Sequence, residues 1–400
     1  MLGFVAGIIP LLIMISIIVS FHEYGHYSIA RLFNTRIDRF SVGFGKVVWS
    51  RRDKRGVEWA ISALPLGGYV KFAGDENIAS MSPSVDELEA ARASITAREG
   101  AAAVKDYFHF KPLWQRFLII LAGPAFNFVL AILIFSLINM IVGQVTYTPL
   151  VQQALPNSPA QVAGFKSGDI IKSVDGKETP SVTDVIRLIA LRADTPTRVV
   201  VDRNHQLITL TVTPKRGTLD AGDKHSTTQG GVIGVKLGGQ GAFHRDDPFT
   251  AVGHGAQETW EVVDTNLTYI GRIFTGKENG DQVTGIIGMT KAAGDIAVDV
   301  AGQKESLLEK SLDLTLTYVQ LIALISIGVG FVNLLPIPIL DGGHLVFYLI
   351  QSVTKKPVSG GIQTAAFPIA VALIVGLMLF AGWNDINHTG LAQYIGRLFS

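Results

Sequence analysis

The sequence predicts a membrane protein with four transmembrane helices, a membrane-associated β-hairpin region and an inserted extracytoplasmic α+β domain. Three observations predict this fold class. Hydrophobic residues make up 48% of the 400 residues, and the mean hydropathy is positive. Four separate runs are apolar over about 20 residues, the length that crosses a bilayer as a helix. Between the second and third runs lies a long stretch with the turns and alternating strands of a folded domain.

Charge and cysteine content narrow the function classes. The net charge is +1, so nothing in the chain suggests a nucleic-acid partner. There is no cysteine, which excludes disulfides, thiol catalysis and cysteine-ligated zinc. A cysteine-free chain is compatible with either redox compartment.

The first apolar run ends in a cluster of polar residues. Phe4–Phe21 is almost wholly apolar and leads into His-Glu-Tyr-Gly-His at residues 22–26. On a helix, positions i and i+4 share one face, so His22 and His26 can offer their imidazoles to one metal ion. Glu23 is placed to accept a proton from an attacking water. This is the HExxH pattern of zinc metalloproteases.

The alternative interpretation is a pair of hydrogen-bonded histidines on a helix face. Placing two imidazoles and a carboxylate at the end of a membrane segment costs free energy. Such residues usually occur there because they serve a function, which favours a functional site. The segment has no basic leader, and a cleavage site would fall inside the motif. We therefore expect a retained helix rather than a signal peptide.

A dense basic stretch follows the motif. Eight arginines and lysines lie between residues 31 and 55, and such density beside a span marks the cytoplasmic side. The N-terminus, the C-terminus and the inserted domain are therefore predicted outside the cytoplasm. The motif is predicted toward the cytoplasmic side of the membrane.

Residues 39–73 show strand patterns around a charged turn. Two strand-like runs flank Arg51–Gly56, and a third runs from Leu64 to Phe72. An ordinary cytoplasmic hairpin and a membrane-associated one fit this pattern equally. The polar segment that follows predicts a solvated helix that begins at Ser82-Pro83 and ends near Arg98.

The second apolar run contains Gly123, Pro124 and Asn127. Small residues allow helices to approach closely, and an Asn in lipid needs a buried partner. These residues serve either helix packing alone or support of the polar cluster in the first helix.

Residues 144–215 predict one folded domain. The stretch Ser158–Lys177 resembles the bacterial PDZ signature. A helix over residues 183–192 and strands over residues 198–202 and 207–213 complete the pattern. The resemblance implies that the domain binds an extended peptide at a sheet edge. The alternative is a structural spacer.

The region between this domain and the third apolar run has no predicted span. After a polar linker, residues 231–237 can add a strand. Residues 248–274 have a helical period of apolar residues, typical of an amphipathic helix on the outer membrane surface. His244 and His254 near its start are expected to be surface residues. Residues 283–300 are apolar but interrupted by glycine, and too short to cross a membrane.

The third apolar run is followed by a second polar motif, Asn-Leu-Leu-Pro-Ile-Pro-Ile-Leu-Asp-Gly-Gly-His, at residues 333–344. Catalytic zinc has three protein ligands and a water, so two histidines need a partner. Asp341, just after a proline-broken helix, is the natural third ligand. His344 is a rival because imidazole also suits zinc. Pro336 and Pro338 leave carbonyls unpaired that can line a wet cavity.

Three motifs in this order resemble those of the site-2 protease family, and in particular the bacterial regulator of sigma-E protease type. They are HEYGH in the first helix, GPAFN at residues 123–127 and NLLPIPILDGGH at residues 333–344. The resemblance covers nearly the whole chain. It implies that His22, His26 and Asp341 bind zinc and that Glu23 is the catalytic base. It further implies substrate-binding or transition-state support from four residues, Asn127, Asn333, Pro336 and Pro338, and a structural role for His344.

The resemblance also concerns the regions outside the motifs. It implies that the β region dips into the membrane beside the active site, where an exposed edge binds unwound substrate. Enterobacterial members carry two tandem PDZ domains, whereas this sequence has one. Substrate gating by a two-domain arrangement is therefore not carried over.

These observations predict a zinc-dependent intramembrane endopeptidase of the bacterial inner membrane. The resemblance implies single-span anti-sigma factors or signal-peptide remnants as substrates, with a possible peptide ligand for the PDZ domain. A non-proteolytic membrane adaptor is one alternative, and the intact Glu23 beside its ligands counts against it. A metal-dependent transporter is another, and four spans without an evident inverted repeat count against it.

The predicted boundaries follow from these patterns. They are 1–34 for the first transmembrane helix, 35–75 for the β region, 76–112 for the cytoplasmic helix and linker, 113–143 for the second transmembrane helix, 144–215 for the PDZ domain, 216–247 for a linker, 248–310 for the amphipathic helix and connecting segment, 311–344 for the third transmembrane helix, 345–363 for a cytoplasmic loop, 364–384 for the fourth transmembrane helix and 385–400 for the tail.

Overall fold

The computed structural model describes residues 2–74, 85–218, 229–281, 283–356, 358 and 360–388. The chain divides into two compact units, residues 1–135 with 285–400, and residues 136–284. The helices are α1 Leu2–Leu32, α2 Val85–Glu99, α3 Leu113–Ile141, α4 Pro159–Ala163, α5 Val182–Ala190, α6 Pro248–Phe274, α7 Ile286–Gly302, α8 Leu307–Asn333, α9 Asp341–Thr354 and α10 Gly360–His388. The strands are β1 Ile37–Arg52, β2 Glu58–Phe72, β3 Gln144–Tyr147, β4 Val151–Ala154, β5 Ile170–Val174, β6 Lys177–Glu178, β7 Thr197–Arg203, β8 Gln206–Val212, β9 Lys215–Thr218, β10 Gln229–Val232, β11 Val235–Leu237 and β12 Gly241–His244.

Four helices in the described part of the chain are long and apolar enough to cross a membrane, as the sequence predicts. They are α1, α3, α8 and α10, with apolar spans of 27 to 30 residues.

Helix α10 carries a carboxylate that is hydrogen-bonded to the start of α7. Asp385 accepts hydrogen bonds from the N–H groups of Gly285 at 3.0 Å and Gly288 at 2.8 Å. It therefore caps the positive end of α7.

The first strand pair is longer than the sequence patterns suggest. β1 and β2 are antiparallel, and Phe40 lies opposite both Trp59 and Val70. Residues 37–42 are therefore central in a folded sheet. Residues 69–72 pair on one side only among the described strands, so they form an edge of that sheet.

This edge runs beside α1. The Ser16 hydroxyl in the middle of α1 donates a hydrogen bond to the Pro65 carbonyl at 2.5 Å. The same hairpin exposes large apolar side chains, namely Phe44, Val48, Trp49, Ile61, Leu64 and Leu66. A strand thus lies against a spanning helix, and apolar residues cover its outer surface.

Helix α7 corrects the interpretation of residues 283–300 as a broken apolar stretch. The interrupting glycines are the residues that let it pack. A Cβ on Gly7 of α1 would lie 2.8 Å from the backbone nitrogen of Gly294. The glycines interrupt the apolar helical pattern in the sequence. In the structure, packing against α1 stabilises α7 as a helix.

In the predicted third transmembrane segment, residues 311–344, the helix ends before the prolines, as the proline-broken pattern indicates. Helix α8 stops at Asn333, and a new helix, α9, begins at Asp341. Pro336 and Pro338 lie in the turn between them, where proline prevents a continuous helix. The predicted cytoplasmic loop over residues 345–363 is therefore largely helix.

The second unit contains a four-stranded antiparallel sheet in the order β6, β5, β7, β8. Helix α5 begins with a capping box between Ser181 and Asp184. The core consists of side chains that are almost fully buried, including Val151, Ile171, Val174, Leu188, Val199 and Val201. Asp169 is fully buried, and both of its oxygens accept hydrogen bonds from Arg203, at 2.7 and 2.8 Å.

The predicted boundary of this domain at residue 215 is wrong. In the predicted linker, β10 and β11 occupy most of the range 231–237, where the sequence predicts an added strand. β10 pairs with β9, β11 with β4 and β12 with β3. These pairings join residues up to about a hundred positions apart, and no local sequence pattern reports such partners. The folded domain therefore extends beyond residue 237.

Helix α6 covers the range with the amphipathic pattern, and its charged side contacts the domain. Glu261 pairs with Arg187 at 3.1 Å, and Asp264 pairs with Lys177. Arg272 donates to the Ala193 carbonyl at 2.7 Å. Another side of the helix exposes bulky apolar side chains, among them Phe249, Trp260 and Phe274.

Three predicted features lie outside the described residues. They are the helix start at Ser82-Pro83, the middle of the linker at residues 219–228, and the tail from residue 389 onward.

Candidate metal centre

Three metal-ligand side chains from distant parts of the chain meet in the first unit. Nε2 of His22 lies 3.2 Å from Nε2 of His26 and 3.0 Å from Oδ2 of Asp341. The same Asp341 oxygen lies 3.5 Å from Nε2 of His26. Within the described part of the chain, no other group of three His, Asp or Glu residues brings its ligand atoms within 4.8 Å of one another. Both histidines are 7% exposed.

Helix α1 supplies the two imidazoles, and a glycine of α3 makes room for them. A Cβ on Gly123 would lie 2.8 Å from Nε2 of His22 and closer still to Nε2 of His26. Gly25 of α1 is equally restricted, because a Cβ there would lie 2.8 Å from the Ala122 carbonyl carbon. The two helices approach so closely that only hydrogen fits at these positions.

The Ile119 carbonyl fixes the orientation of His26. It lies 2.8 Å from Nδ1 of that ring, so Nδ1 carries the proton and donates it. Nε2 then keeps a lone pair directed at the other two ligands. A partner on the far nitrogen of this kind is the usual support for a metal-binding histidine.

Asn127 has the corresponding position at His22. Its side chain is fully buried, and its amide group lies 3.2 Å from Nδ1 of His22. The amide oxygen has no partner among the described residues when the nitrogen faces the ring. Exchanging the two amide atoms lets Oδ1 accept a proton from Nδ1, which satisfies the buried oxygen and frees Nε2 of His22.

The tight turn after α8 carries the carboxylate to the histidines. The N–H of Leu340 donates to the Ile337 carbonyl at 2.8 Å, and Asp341 then begins α9. The positive end of a helix favours a carboxylate in its first turn. A Cβ on Gly343 would lie 2.5 Å from Cα of Pro338, so glycine is needed for this turn.

Glu23 contacts the edge of the β region. The backbone N–H of Val70 donates a hydrogen bond to Oε2 of Glu23 at 3.1 Å. This contact orients a carboxylate that is one residue from the first ligand. It also holds residues 69–72 close to the cluster of His22, His26 and Asp341.

The donor set suits zinc. Two imidazole nitrogens and one carboxylate oxygen are typical protein ligands for this ion, and three of them leave a fourth position open for chemistry. The unpaired Asn127 oxygen supports this assignment, because pairing it with Nδ1–H of His22 produces the tautomer that a metal ligand requires.

The other predicted residues stay outside the ligand group. Asn333 is the last residue of α8, and Pro336 and Pro338 lie in the turn that follows it. The His344 ring packs against Phe347 with 6.4 Å between centroids, so Asp341 and not His344 joins the two histidines.

Further histidines have other surroundings. Burial, with a smaller contribution from the Arg116 charge, lowers the pKa of His109 to about 4, so that this ring is neutral at physiological pH. In the second unit, His244 and His254 both contact Asp246, at 2.7 and 2.6 Å. Both rings are largely exposed, as expected of surface residues.

Sequence reasoning missed two contributors to the site because they are backbone groups. The Ile119 carbonyl and the Val70 N–H act through atoms that every residue has. The closeness of Gly123 to both rings was also missed, although its position in a Gly-Pro motif of a spanning helix was a usable signal.

Comparisons with known proteins agree on one family. The sequence model of peptidase family M50 matches residues 10–377. Metalloprotease MmpA of Caulobacter vibrioides is 42% identical over 402 residues, covering 100% of both chains. Atu1380 of Agrobacterium fabrum, named as a zinc metalloprotease, is 37% identical over 96% of this chain and 97% of its own length. RC0203 of Rickettsia conorii, named in the same way, is 30% identical over 96% of this chain and 99% of its own length.

Proposed function

This chain belongs to peptidase family M50 and is a zinc metalloprotease of the membrane, and we propose that it cleaves single-span membrane proteins within their transmembrane segments. The observation that carries the proposal is the meeting of His22, His26 and Asp341 beside helices long enough to span a bilayer. Two of these three residues lie in the spanning helix α1, which supports action on peptide bonds at membrane depth.

We assign the zinc to His22, His26 and Asp341. When bound, zinc polarises the scissile carbonyl and makes water nucleophilic near neutral pH. Asn127 and the Ile119 carbonyl hold the two imidazole rings so that each directs its Nε2 at the metal position.

Glu23 is the proposed general base. Its carboxylate accepts the proton of the attacking water and later delivers that proton to the leaving amine. The hydrogen bond from Val70 to Oε2 holds the carboxylate in one orientation. Asn333, Pro336 and Pro338 are proposed to contact the substrate, because they form the turn that ends in the third ligand.

The edge of the β region is the proposed substrate cradle. A transmembrane helix must unwind before its peptide bonds can be attacked, and its backbone groups then need new partners. Residues 69–72 form a sheet edge beside Glu23, so an extended substrate can add as a further strand. The exposed apolar residues of the hairpin support its membrane association.

The second unit is proposed to be a PDZ domain that selects substrates. A groove of about 570 Å³ lies between α5 and β10–β11 and is lined by apolar side chains, including Val185, Ile189 and Val235. A groove between a helix and a strand suits an extended peptide. Helix α6 is proposed to lie on the outer membrane surface, because its exposed side is apolar.

We further propose the bacterial inner membrane as the location. The basic residues after α1 support an orientation with the ligand group toward the cytoplasm and the second unit outside it. The proposed substrates are single-span anti-sigma factors or signal-peptide remnants, whose extracytoplasmic part is already short.

The test is cleavage of defined substrates by the full chain in liposomes. Two single-span peptides with the same transmembrane sequence would be compared, one with a short outer tail and one with a folded outer domain. Mass spectrometry of the products should locate the cut inside the apolar segment, with the short-tailed peptide cleaved faster. Cuts confined to soluble tails would contradict the proposal.

A further inference from the structure

A polar cleft of about 630 Å³ lies where α1 ends, apart from the metal centre. Five cationic side chains line it, namely Arg31, Arg36, Arg55, Lys71 and Arg98, together with two acidic ones. The cleft therefore carries a surplus of three positive charges. All its lining residues belong to the first unit.

Most of this positive charge has no carboxylate partner in the described part of the chain. Arg36 pairs with Glu99 and lies over the Tyr107 ring. The other four cations have no carboxylate within 4.0 Å among the described residues. Like charges that gather in one cleft repel one another, so they favour an anion between them.

A buried hydroxyl supplies a second, independent observation. Thr35 lines the cleft and is only 3% exposed, yet its Oγ1 has no hydrogen-bond partner among the described residues. A buried polar atom without a partner is unfavourable, and each such atom calls for an explanation. An oxygen-rich anion in the cleft can accept the hydroxyl proton of Thr35.

The carbonyl end of α1 does not oppose an anion here. Lys111 donates hydrogen bonds from Nζ to the Phe33 carbonyl at 2.8 Å and to the Asn34 carbonyl at 3.2 Å. A lysine at this position compensates the negative end of the helix. The four cleft cations other than Arg36 are therefore available to an external group.

We propose that this cleft binds the phosphate group of an anionic ligand at the end of the first transmembrane helix. Guanidinium groups match phosphate oxygens in geometry and charge. The apolar span of α1 runs to Leu32, and lipid headgroups lie at the ends of such spans. The phosphate of an anionic phospholipid is therefore one source, and free phosphate is the other.

The test measures ligand binding and does not depend on proteolysis. The full chain in neutral detergent would be titrated with phosphatidylglycerol, phosphatidylcholine or inorganic phosphate, with bound ligand counted by native mass spectrometry. We expect one phosphatidylglycerol to be retained with about tenfold preference over phosphatidylcholine, whose headgroup has no net charge. Binding of inorganic phosphate alone, at the same residues, would support the site with a soluble source.

Two charge-matched variants decide whether the cleft is responsible. Arg31→Gln/Lys71→Gln/Arg98→Gln removes three cations of the cleft and should weaken binding about tenfold or more. Arg51→Gln/Arg52→Gln/Lys54→Gln removes three cations from the same basic region outside the cleft and should change binding little. Equal losses in the two variants would overturn the proposal, and so would the absence of any preference for an anionic ligand. Thr35→Val should weaken binding without changing the charge.

Discussion

The backbone N–H of Val70 donates a hydrogen bond to Oε2 of Glu23, with 3.1 Å between the two atoms. This one contact joins a sheet edge to the carboxylate beside the first metal ligand. An extended substrate that pairs with the edge would therefore lie next to Glu23, the proposed general base. The prediction from this contact is that the sheet edge matters for turnover rather than for zinc binding.

The first prediction concerns this contact directly. Val70→Pro removes the N–H, and hydrogen bonds to charged groups contribute about 1.5–3 kcal/mol. Cleavage should slow by about 10- to 100-fold, while the zinc content stays that of the wild type. Val48→Pro, in an exposed part of the same hairpin, is the control and should cleave nearly normally. Loss of zinc in Val70→Pro would mean that the edge supports the ligands instead.

The second prediction concerns the glycine against the histidines. Gly123→Ala places a methyl group 2.8 Å from Nε2 of His22, inside the volume that the metal ligands need. We expect the purified variant to fold but to hold little zinc. Gly328→Ala in α8, where nothing lies within 4 Å, is the matched control. Normal zinc content in Gly123→Ala would show that the two helices can separate at this point.

The third prediction separates two asparagines by what each supports. Asn127→Ala should weaken zinc binding by about 10- to 100-fold, because the amide orients His22. Asn333→Ala should leave zinc affinity unchanged and lower the rate of cleavage. Zinc titration and kinetics on both variants make the comparison. Weaker zinc binding in Asn333→Ala, with unchanged zinc binding in Asn127→Ala, would exchange the roles proposed for the two side chains.

The fourth prediction is a pH dependence in the second unit. Burial acts to raise the pKa of Asp169, but hydrogen bonds from Arg203 and the Lys166 N–H outweigh it, so the pKa lies below its ordinary value of 3.8. A carboxyl whose folded-state pKa is lowered stabilises the fold above its unfolded-state pKa. That stabilisation is lost as pH falls below about 4.

Hydrogen exchange in β7 and β8, corrected for intrinsic rates, measures this dependence. Protection should be constant from neutral pH to about pH 5 and fall at lower pH. Asp169→Asn should lose about 2 kcal/mol at neutral pH and become less sensitive to acid. Asp202→Asn, next to Arg203 in β7, is a control that should keep the wild-type profile. If protection in the wild type did not fall below about pH 5, the role of the Asp169–Arg203 ion pair would be contradicted.

Features of the fold and the site could be predicted from the sequence where they depend on a residue's own chemistry or on a long apolar pattern. Four spans can be predicted because about 20 apolar residues have few other stable arrangements. His22, His26 and Glu23 could be grouped because helical spacing is local. Asp341 could be proposed only as one of two candidates, since its approach to α1 depends on a turn after Pro338 and on the break before α9.

The remaining features depend on contacts between distant segments. Glycine in α7 lowers intrinsic helix propensity, whereas the same glycine allows close packing against Gly7 of α1. A strand could be predicted over residues 231–237, where β10 and β11 lie, but its membership of the domain could not, because the partner strands of β11 and β12 lie far away in the chain. The Val70 N–H and the Ile119 carbonyl are backbone groups, so no residue type signals their part in the site.

The central claim is that Glu23 performs proton transfer beside zinc held by His22, His26 and Asp341. The most direct test compares the wild type with Glu23→Gln for zinc content and for cleavage of a single-span membrane substrate. We predict about one zinc per chain in both proteins, as a mononuclear site requires, with cleavage by the wild type only. A wild-type protein without zinc, or a Glu23→Gln variant that cleaves at the wild-type rate, would contradict the account.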